Sequence, residues 1–174
     1  MGIDFTLPLT TWPDYILRMA NTFTSLHYHV VFSTKNREPW IRPDIEQRVW
    51  AYLGGIARDN DLKPVRFGGI ENHVHLLLGI PPTIAVSKAV QLLKGGSSKW
   101  MKENFPGTAS FGRWQDGYAA FTVSKSQLPE IETYIQNQLE HHRVKSFEEE
   151  YRAFLDRHDI TYDERYLFDV EHTG

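Results

Sequence analysis

The segment 73–80, HVHLLLGI, leaves little freedom in how the chain can fold. It is too short for a core helix and is closed by Pro81-Pro82, which cannot donate to a strand ladder. Read as a strand, its two-residue period sends Val74, Leu76 and Leu78 to one face and His73 and His75 to the other. A strand with one wholly apolar face needs a sheet around it and helices against that face.

The remaining periodicities supply both. Residues 26–33, LHYHVVFS, alternate, with Leu26, Tyr28, Val30 and Phe32 on one face and His27, His29 and Val31 on the other. Pro43 and Asp44 open a helix to about residue 59, with Ile45, Val49, Tyr52, Leu53 and Ile56 at helical spacing. A second strand over 65–70 contains Gly68 and Gly69, which predict a bent or bulged end. Thr83 is positioned to cap a helix through Leu93, interrupted at Gly95-Gly96 before SSKWMKEN. A fourth strand covers 119–123. A helix over 126–143 follows, with Ser126 as cap and Pro129 in its first turn, and a further helix covers 146–156.

This order predicts an α+β fold: a ferredoxin-like (RRM-like) antiparallel sheet with helices on one face plus a C-terminal tyrosine-bearing helix. Residues 1–18, broken by Pro8 and Pro13, read as a poorly ordered N-terminal extension. Residues 19–145 form one domain, and 146–174 an acidic C-terminal segment.

Composition narrows the function classes. The absence of cysteine removes disulfides, thiolate metal sites and cysteine nucleophiles, and fits a reducing cytoplasm. No apolar run approaches the ~20 residues that span a bilayer, so no membrane role is expected. The net charge of −3 argues mildly against nucleic acid. Its distribution weakens that objection: basic residues exceed acidic ones over 19–130, and the reverse holds from 131 onward. Phosphate contacts depend on local charge, although two solvated faces of opposite sign account for the pattern equally well.

His73 and His75 share one strand face and can converge on one ion, since neutral imidazole suits zinc, manganese and similar metals. Two polar residues on a partly exposed sheet face have the same pattern. His27 and His29 repeat the spacing on the neighbouring strand, where a hydrogen bond to a metal ligand is one available role. On the last helix, Tyr134, Gln138 and His141 follow i, i+4, i+7 beside the apolar stripe of Leu128, Ile131, Ile135 and Leu139. A phenol with a pKa near ~10 needs a metal-polarised phosphate to attack it at neutral pH. Without such a partner Tyr134 is a half-buried packing residue and Gln138 a solvated one.

Together the segments resemble one family, the single-tyrosine HUH transposases of small bacterial insertion sequences (insertion-sequence 200-like). HUH denotes two histidines around a hydrophobic residue, here His73-Val74-His75 in GGIENHVHLLLGI. SLHYHVVFSTKNREP, LLKGGSSKWMKENFP, FGRWQDGYAAFTVS and YIQNQLEHH are similar to successive segments of that family, in one order over about 23–142. The resemblance implies a DNA transposase with Tyr134 as catalytic nucleophile and Gln138 as third metal ligand beside His73 and His75. It implies Mg²⁺ or Mn²⁺ as divalent metal and no small-molecule cofactor. It further implies cleavage and rejoining of single-stranded DNA with hairpin ends through a 5′-phosphotyrosine. The enzyme would be a homodimer that often pairs the histidines of one subunit with the tyrosine of the other.

Other features carry less. Lys88, Lys94, Lys99, Lys102 and Arg113 are candidate phosphate contacts or an ordinary solvated helix face. Gly95-Gly96-Ser97-Ser98-Lys99 lacks P-loop spacing. Trp100 and Trp114 suit base stacking or, more commonly, core packing. His142 falls in the apolar stripe and reads as structural, and the acidic tail lies outside the residues expected to carry chemistry. A relaxase or replication initiator has no room for its usual extra domains. A non-catalytic nucleic-acid-binding module, or a domesticated relative that has lost mobility, shares the sequence pattern.

Overall fold

The computed structural model describes residues 23–105 and 112–168, so the extension expected at 1–18 lies outside the described residues. Four strands, β1 (His27–Ser33), β2 (Lys63–Ile70), β3 (His73–Gly79) and β4 (Ala119–Val123), form one sheet. Its order is β2-β3-β1-β4, and every neighbouring pair is antiparallel. This is the expected ferredoxin-like connectivity, in which β3 returns between β2 and β1. Val31 lies opposite His75, and Phe32 opposite Val74, so the two central strands share their faces in register.

One face carries the main core. Val30, Phe32, Val74, Leu76 and Leu78 meet α1 (Glu46–Asp59) through Val49, Leu53 and Ala57, and α2 (Val86–Asn104) through Ala89, Val90 and Leu93. Each fully buried aliphatic side chain here adds about 1.5–3 kcal/mol. The second face is covered as well. Leu77 and Val123 pack against Leu128 and Ile135 of α3 (Leu128–Gln136). Val31, Ala119 and Phe121 pack against Phe147, Tyr151 and Leu155 of α5 (Phe147–Arg157). A one-turn α4 (Gln138–His141) links these two helices, and a short α6 (Glu164–Leu167) follows them. The expected acidic tail therefore begins with a docked amphipathic helix. Its Ser146 side chain accepts from the Glu149 N–H, and Glu149 bonds back to the Ser146 N–H.

Several local details differ from the sequence expectation. α2 starts at Val86 after Ala85, without a Thr83 cap, and runs unbroken through Gly95-Gly96. A Cβ at Gly96 would stand 2.9 Å from Ile56 Cδ1, so this glycine lets α2 approach α1 closely. The helix expected at 126–143 breaks at Asn137. It is preceded by a 3-10 turn at Lys125–Gln127, where the Ser124 N–H and hydroxyl both donate to Gln127 Oε1, so Ser126 is not the cap. The irregularity in β2 falls between Pro64 and Arg66, not at Gly68-Gly69.

Those two glycines do something else. A Cβ at Gly68 would lie 2.9 Å from Ile135 Cγ2 and 3.0 Å from the Ile135 carbonyl, so its absence seats α3 directly on the sheet. Gly69 adopts φ +149°, and a Cβ there would reach 2.2 Å from the His73 carbonyl oxygen. Gly69→Ala is therefore expected to lower unfolding free energy by about 1–3 kcal/mol, measured by urea titration. An unchanged midpoint would contradict this account of the β2–β3 turn. Among the described residues, no helix is long and apolar enough to cross a membrane.

Candidate metal centre and nucleophile

β3 brings His73 and His75 to the sheet face under α3, α4 and α5, where both are fully buried. Each ring is held from behind. His73 Nδ1 lies 2.8 Å from Asn72 Oδ1, an atom that only accepts, so Nδ1 carries the proton and Nε2 a lone pair. His75 Nδ1 lies 2.9 Å from Nε2 of His29 on β1. His29 thus takes the orienting role open to it, whereas His27 lines a separate cleft with Lys63 and Lys125.

The break at Asn137 turns two further groups inward. Gln138 is buried, with Oε1 3.3 Å from His73 Nε2 and 3.0 Å from His142 Nε2. The His142 ring donates through Nδ1 to the Lys145 carbonyl at 2.7 Å. From α5, Glu150 completes the cluster. Its Oε2 lies 3.7 Å from His73 Nε2, 3.2 Å from His75 Nε2 and 3.4 Å from His142 Nε2. Ligand atoms of His73, His75, His142 and Glu150 all fall within 4.8 Å of one another.

Such an arrangement calls for positive charge at its centre. Neutral imidazoles, an amide oxygen and a carboxylate that face one another by lone pairs repel unless a cation or protons lie among them. His75 Nε2 and Glu150 Oε2 are buried without a hydrogen bond. A donor set of nitrogen and oxygen without sulfur fits a divalent ion such as Mn²⁺ or Zn²⁺. His73, His75 and Gln138 converge within one chain, together with two groups that sequence reasoning missed.

His142 falls in the expected apolar stripe, but it also stands four residues after Gln138, on the same helical edge, and its ring meets the Gln138 amide oxygen. Glu150 was assigned to a tail without chemistry. Its signal was present in the sequence: it interrupts the stripe of Phe147, Tyr151, Phe154 and Leu155 with a carboxylate.

Tyr134 stands at the edge of this cluster, half-buried. Its hydroxyl donates to Glu150 Oε1, to which Gln138 Nε2 also donates at 3.3 Å. Its ring lies 5.8 Å from that of His75 and 5.2 Å from that of His141. The phenol and the histidines therefore meet in one chain. Burial, the Glu150 charge and the hydrogen bond to it push the phenol well above its ordinary value, so Tyr134 holds its proton in this state.

Burial and the neighbouring His75 lower His29 and His73, which stay neutral. Burial opposes ionisation of Glu150, but contacts with His142 and His75 outweigh it and hold the carboxyl well below its usual range. Burial also disfavours the charged form of His142, yet the adjacent Glu150 carboxylate and the bond to the Lys145 carbonyl raise it overall.

Unfolding lets His29 and His73 take protons below ~6.5, so stability falls as pH drops through that value, by about 1.4 kcal/mol per pH unit for each. His142 works in the opposite sense and offsets part of this. The Glu150 contribution is present above its unfolded value and is lost as pH falls below the usual carboxylate range. Urea unfolding in EDTA is expected to show about 1 kcal/mol or more of lost stability at pH 5.5 relative to pH 7.5. Equal or greater stability at pH 5.5 would contradict the neutral-histidine assignment.

The proposed phosphate-contacting residues are not brought to this cluster. Lys94 donates to the carbonyls of Gln115, Asp116 and Gly117 at 2.6, 3.3 and 2.8 Å and acts as a staple for that loop. Lys99, Lys102 and Arg113 are exposed, the two lysines on α2 across the sheet from the histidines. Lys88 bonds to Gln91. Trp114 is a core residue, its Nε1 donating to Ser97 Oγ at 2.9 Å, while Trp100 stacks on Tyr52.

The chain is similar to several transposases. The chain is 30% identical over 131 residues to the transposase for insertion sequence element IS200 of Salmonella typhimurium, covering 72% of this chain and 85% of that protein. It is 29% identical over 117 residues to the ISDra2 transposase TnpA of Deinococcus radiodurans, covering 65% and 84%. A crystal structure of a candidate transposase from Deinococcus radiodurans R1 superposes with a TM-score of 0.55 at 30% identity, covering 67% of this chain and 93% of that one. A REP-associated tyrosine transposase bound to a REP hairpin shares the fold at 12% identity, with a TM-score of 0.53 and coverage of 71% and 74%. The family model described as "Transposase IS200 like" matches residues 22–138, which include His73, His75, Tyr134 and Gln138, and the chain belongs to that family.

Proposed function

We propose that this protein is a transposase that cleaves and rejoins single-stranded DNA through Tyr134. The observation that carries the reading is the meeting, in one chain, of the Tyr134 hydroxyl with the donor atoms of His73, His75 and Gln138 around a single buried anion. Tyr134 attacks the scissile phosphorus and gives up its phenolic proton, a phosphotyrosine forms at the 5′ side, and the bond to the 3′-oxygen breaks, that oxygen taking a proton to leave as a 3′-OH. A different 3′-OH reverses the step. One ester replaces another, so neither ATP nor water is consumed.

His73, His75 and Gln138 would hold the divalent metal, Mg²⁺ or Mn²⁺, and their nitrogen donors favour Mn²⁺. The bound ion would neutralise and polarise the scissile phosphate. Asn72 and His29 keep the two rings aimed. Gln138 orients the site through its amide, its oxygen toward the histidines and its N–H toward Glu150. The substrate would be the hairpin-bearing ends of an insertion sequence, bound by a homodimer in the cytoplasm. Lys99, Lys102 and Arg113 are proposed phosphate contacts away from the reacting centre.

Incubation with hairpin-bearing single-stranded DNA and Mn²⁺ is expected to give a covalent protein–DNA adduct on a denaturing gel, absent in EDTA. Hairpin binding that ignores EDTA, with no adduct, would instead identify a non-catalytic nucleic-acid-binding module.

A further inference from the structure

Glu150 is a carboxylate where a substrate phosphate belongs. If Tyr134 attacks a phosphate polarised by an ion at His73 and His75, that phosphate lies between the phenol and the two rings. Glu150 fills this position, with one oxygen accepting from Tyr134 and Gln138 and the other facing His73, His75 and His142.

Basic groups stand near this position. A cleft of about 120 Å³ beside Tyr134 and Glu150 is lined by His141, Lys145 and Arg157, with Glu130 and the apolar Ile131 and Phe154 on its other walls. His141 Nε2 lies 3.4 Å from Glu150 Oε1. The carboxylate is not loosely placed: α5 is clamped to the sheet by buried Phe147, Tyr151 and Leu155, and Arg37 pairs with Glu148 at 2.6 Å. Glu150 and His142 also lie beyond the region that matches the family model, which ends at residue 138.

We propose that Glu150 is an internal surrogate for the scissile phosphate. In the DNA-free protein it completes a closed divalent-cation site with His73, His75 and His142, and DNA binds by displacing it. Bound DNA and the closed site exclude each other. The apparent DNA affinity is thus the intrinsic affinity multiplied by the fraction of molecules whose α5 is unseated. This proposal rests on the reading of Tyr134 and the histidines given above.

The test uses Glu150→Gln in the full-length chain, with two readouts that need no cleavage. The first is Mn²⁺ affinity of the DNA-free protein by calorimetry. The variant is expected to bind about 10-fold more weakly or worse, because an anionic ligand is lost. The second is binding of hairpin-bearing single-stranded DNA at saturating Mn²⁺, in a Tyr134→Phe background that blocks the adduct. Glu150→Gln is expected to tighten it about 5-fold or more, because no carboxylate competes with the phosphate. If Glu150→Gln fails to unfold cooperatively in urea, Glu150→Asp, whose carboxylate falls one methylene short, is expected to change both readouts in the same directions.

Unchanged Mn²⁺ affinity overturns the ligand assignment, and unchanged or weaker DNA binding overturns the displacement. A fall in adduct yield on Glu150→Gln at saturating Mn²⁺ would make Glu150 the proton acceptor for Tyr134 and also overturn the proposal. Failure of the cleavage reading is distinguishable: the wild-type chain would form no adduct while Glu150→Gln still loosened Mn²⁺.

Discussion

Tyr134→Phe is expected to reduce covalent adduct formation on hairpin-bearing single-stranded DNA on the order of 10³-fold or more. The substitution removes one oxygen and leaves the ring in place against His29, His75 and Phe154, so packing changes little. It also removes the hydrogen bond to Glu150, which keeps its contacts with Gln138 and the histidines. Mn²⁺ affinity of the DNA-free variant should therefore stay within about threefold of wild type. A gel assay with end-labelled DNA and a calorimetric titration separate the two effects. Loss of both would make Tyr134 a structural support for the metal centre and not the nucleophile.

The second large effect is at the metal. His75→Ala is expected to weaken Mn²⁺ binding about 100-fold or more and to abolish adduct formation with it. It leaves a cavity on the β3 face, and His29 Nε2 loses its partner, so a stability loss of about 2–4 kcal/mol should accompany it. The control is His27→Ala. His27 has the same two-residue relation to His29 that His75 has to His73, but it sits opposite Gly79 and Val123, away from the cluster. Its Mn²⁺ affinity should remain within about twofold of wild type. Equal losses in the two variants would show that the effect of His75→Ala comes from the sheet and not from ligation.

Much of this was legible in the chain because period-two patterns are hard to misread when a helix-covered core lies on one side. Val74, Leu76 and Leu78 against His73 and His75 defined both faces of β3, and the order of elements led to the sheet connectivity. The i, i+4 relation of Tyr134 and Gln138 placed both on one helix edge, and the structure turns both toward the histidines.

What escaped had physical causes of its own. Asn137 leaves helical geometry at φ −98°, ψ 20°, as asparagine does at helix ends, and a continuous 100° rotation carried past it assigned His142 to the apolar stripe alone. The run of glutamates at 148–150 reads as solvated charge, and only the burial of α5 singles out the third. Gly95-Gly96 suggests an interrupted helix and Gly68-Gly69 a bent or bulged strand end, whereas Gly96 and Gly68 mark places where a helix comes too close for a side chain.

The central claim is that Tyr134 becomes the covalent link to DNA when a metal sits at His73 and His75. Its most direct test is peptide mapping by mass spectrometry of the adduct formed by the wild-type chain with hairpin-bearing single-stranded DNA and Mn²⁺. The account predicts a nucleotide phosphate on the peptide containing Tyr134 and on no other, and none when EDTA is present. A phosphate on another residue, or the same adduct in EDTA, would contradict it.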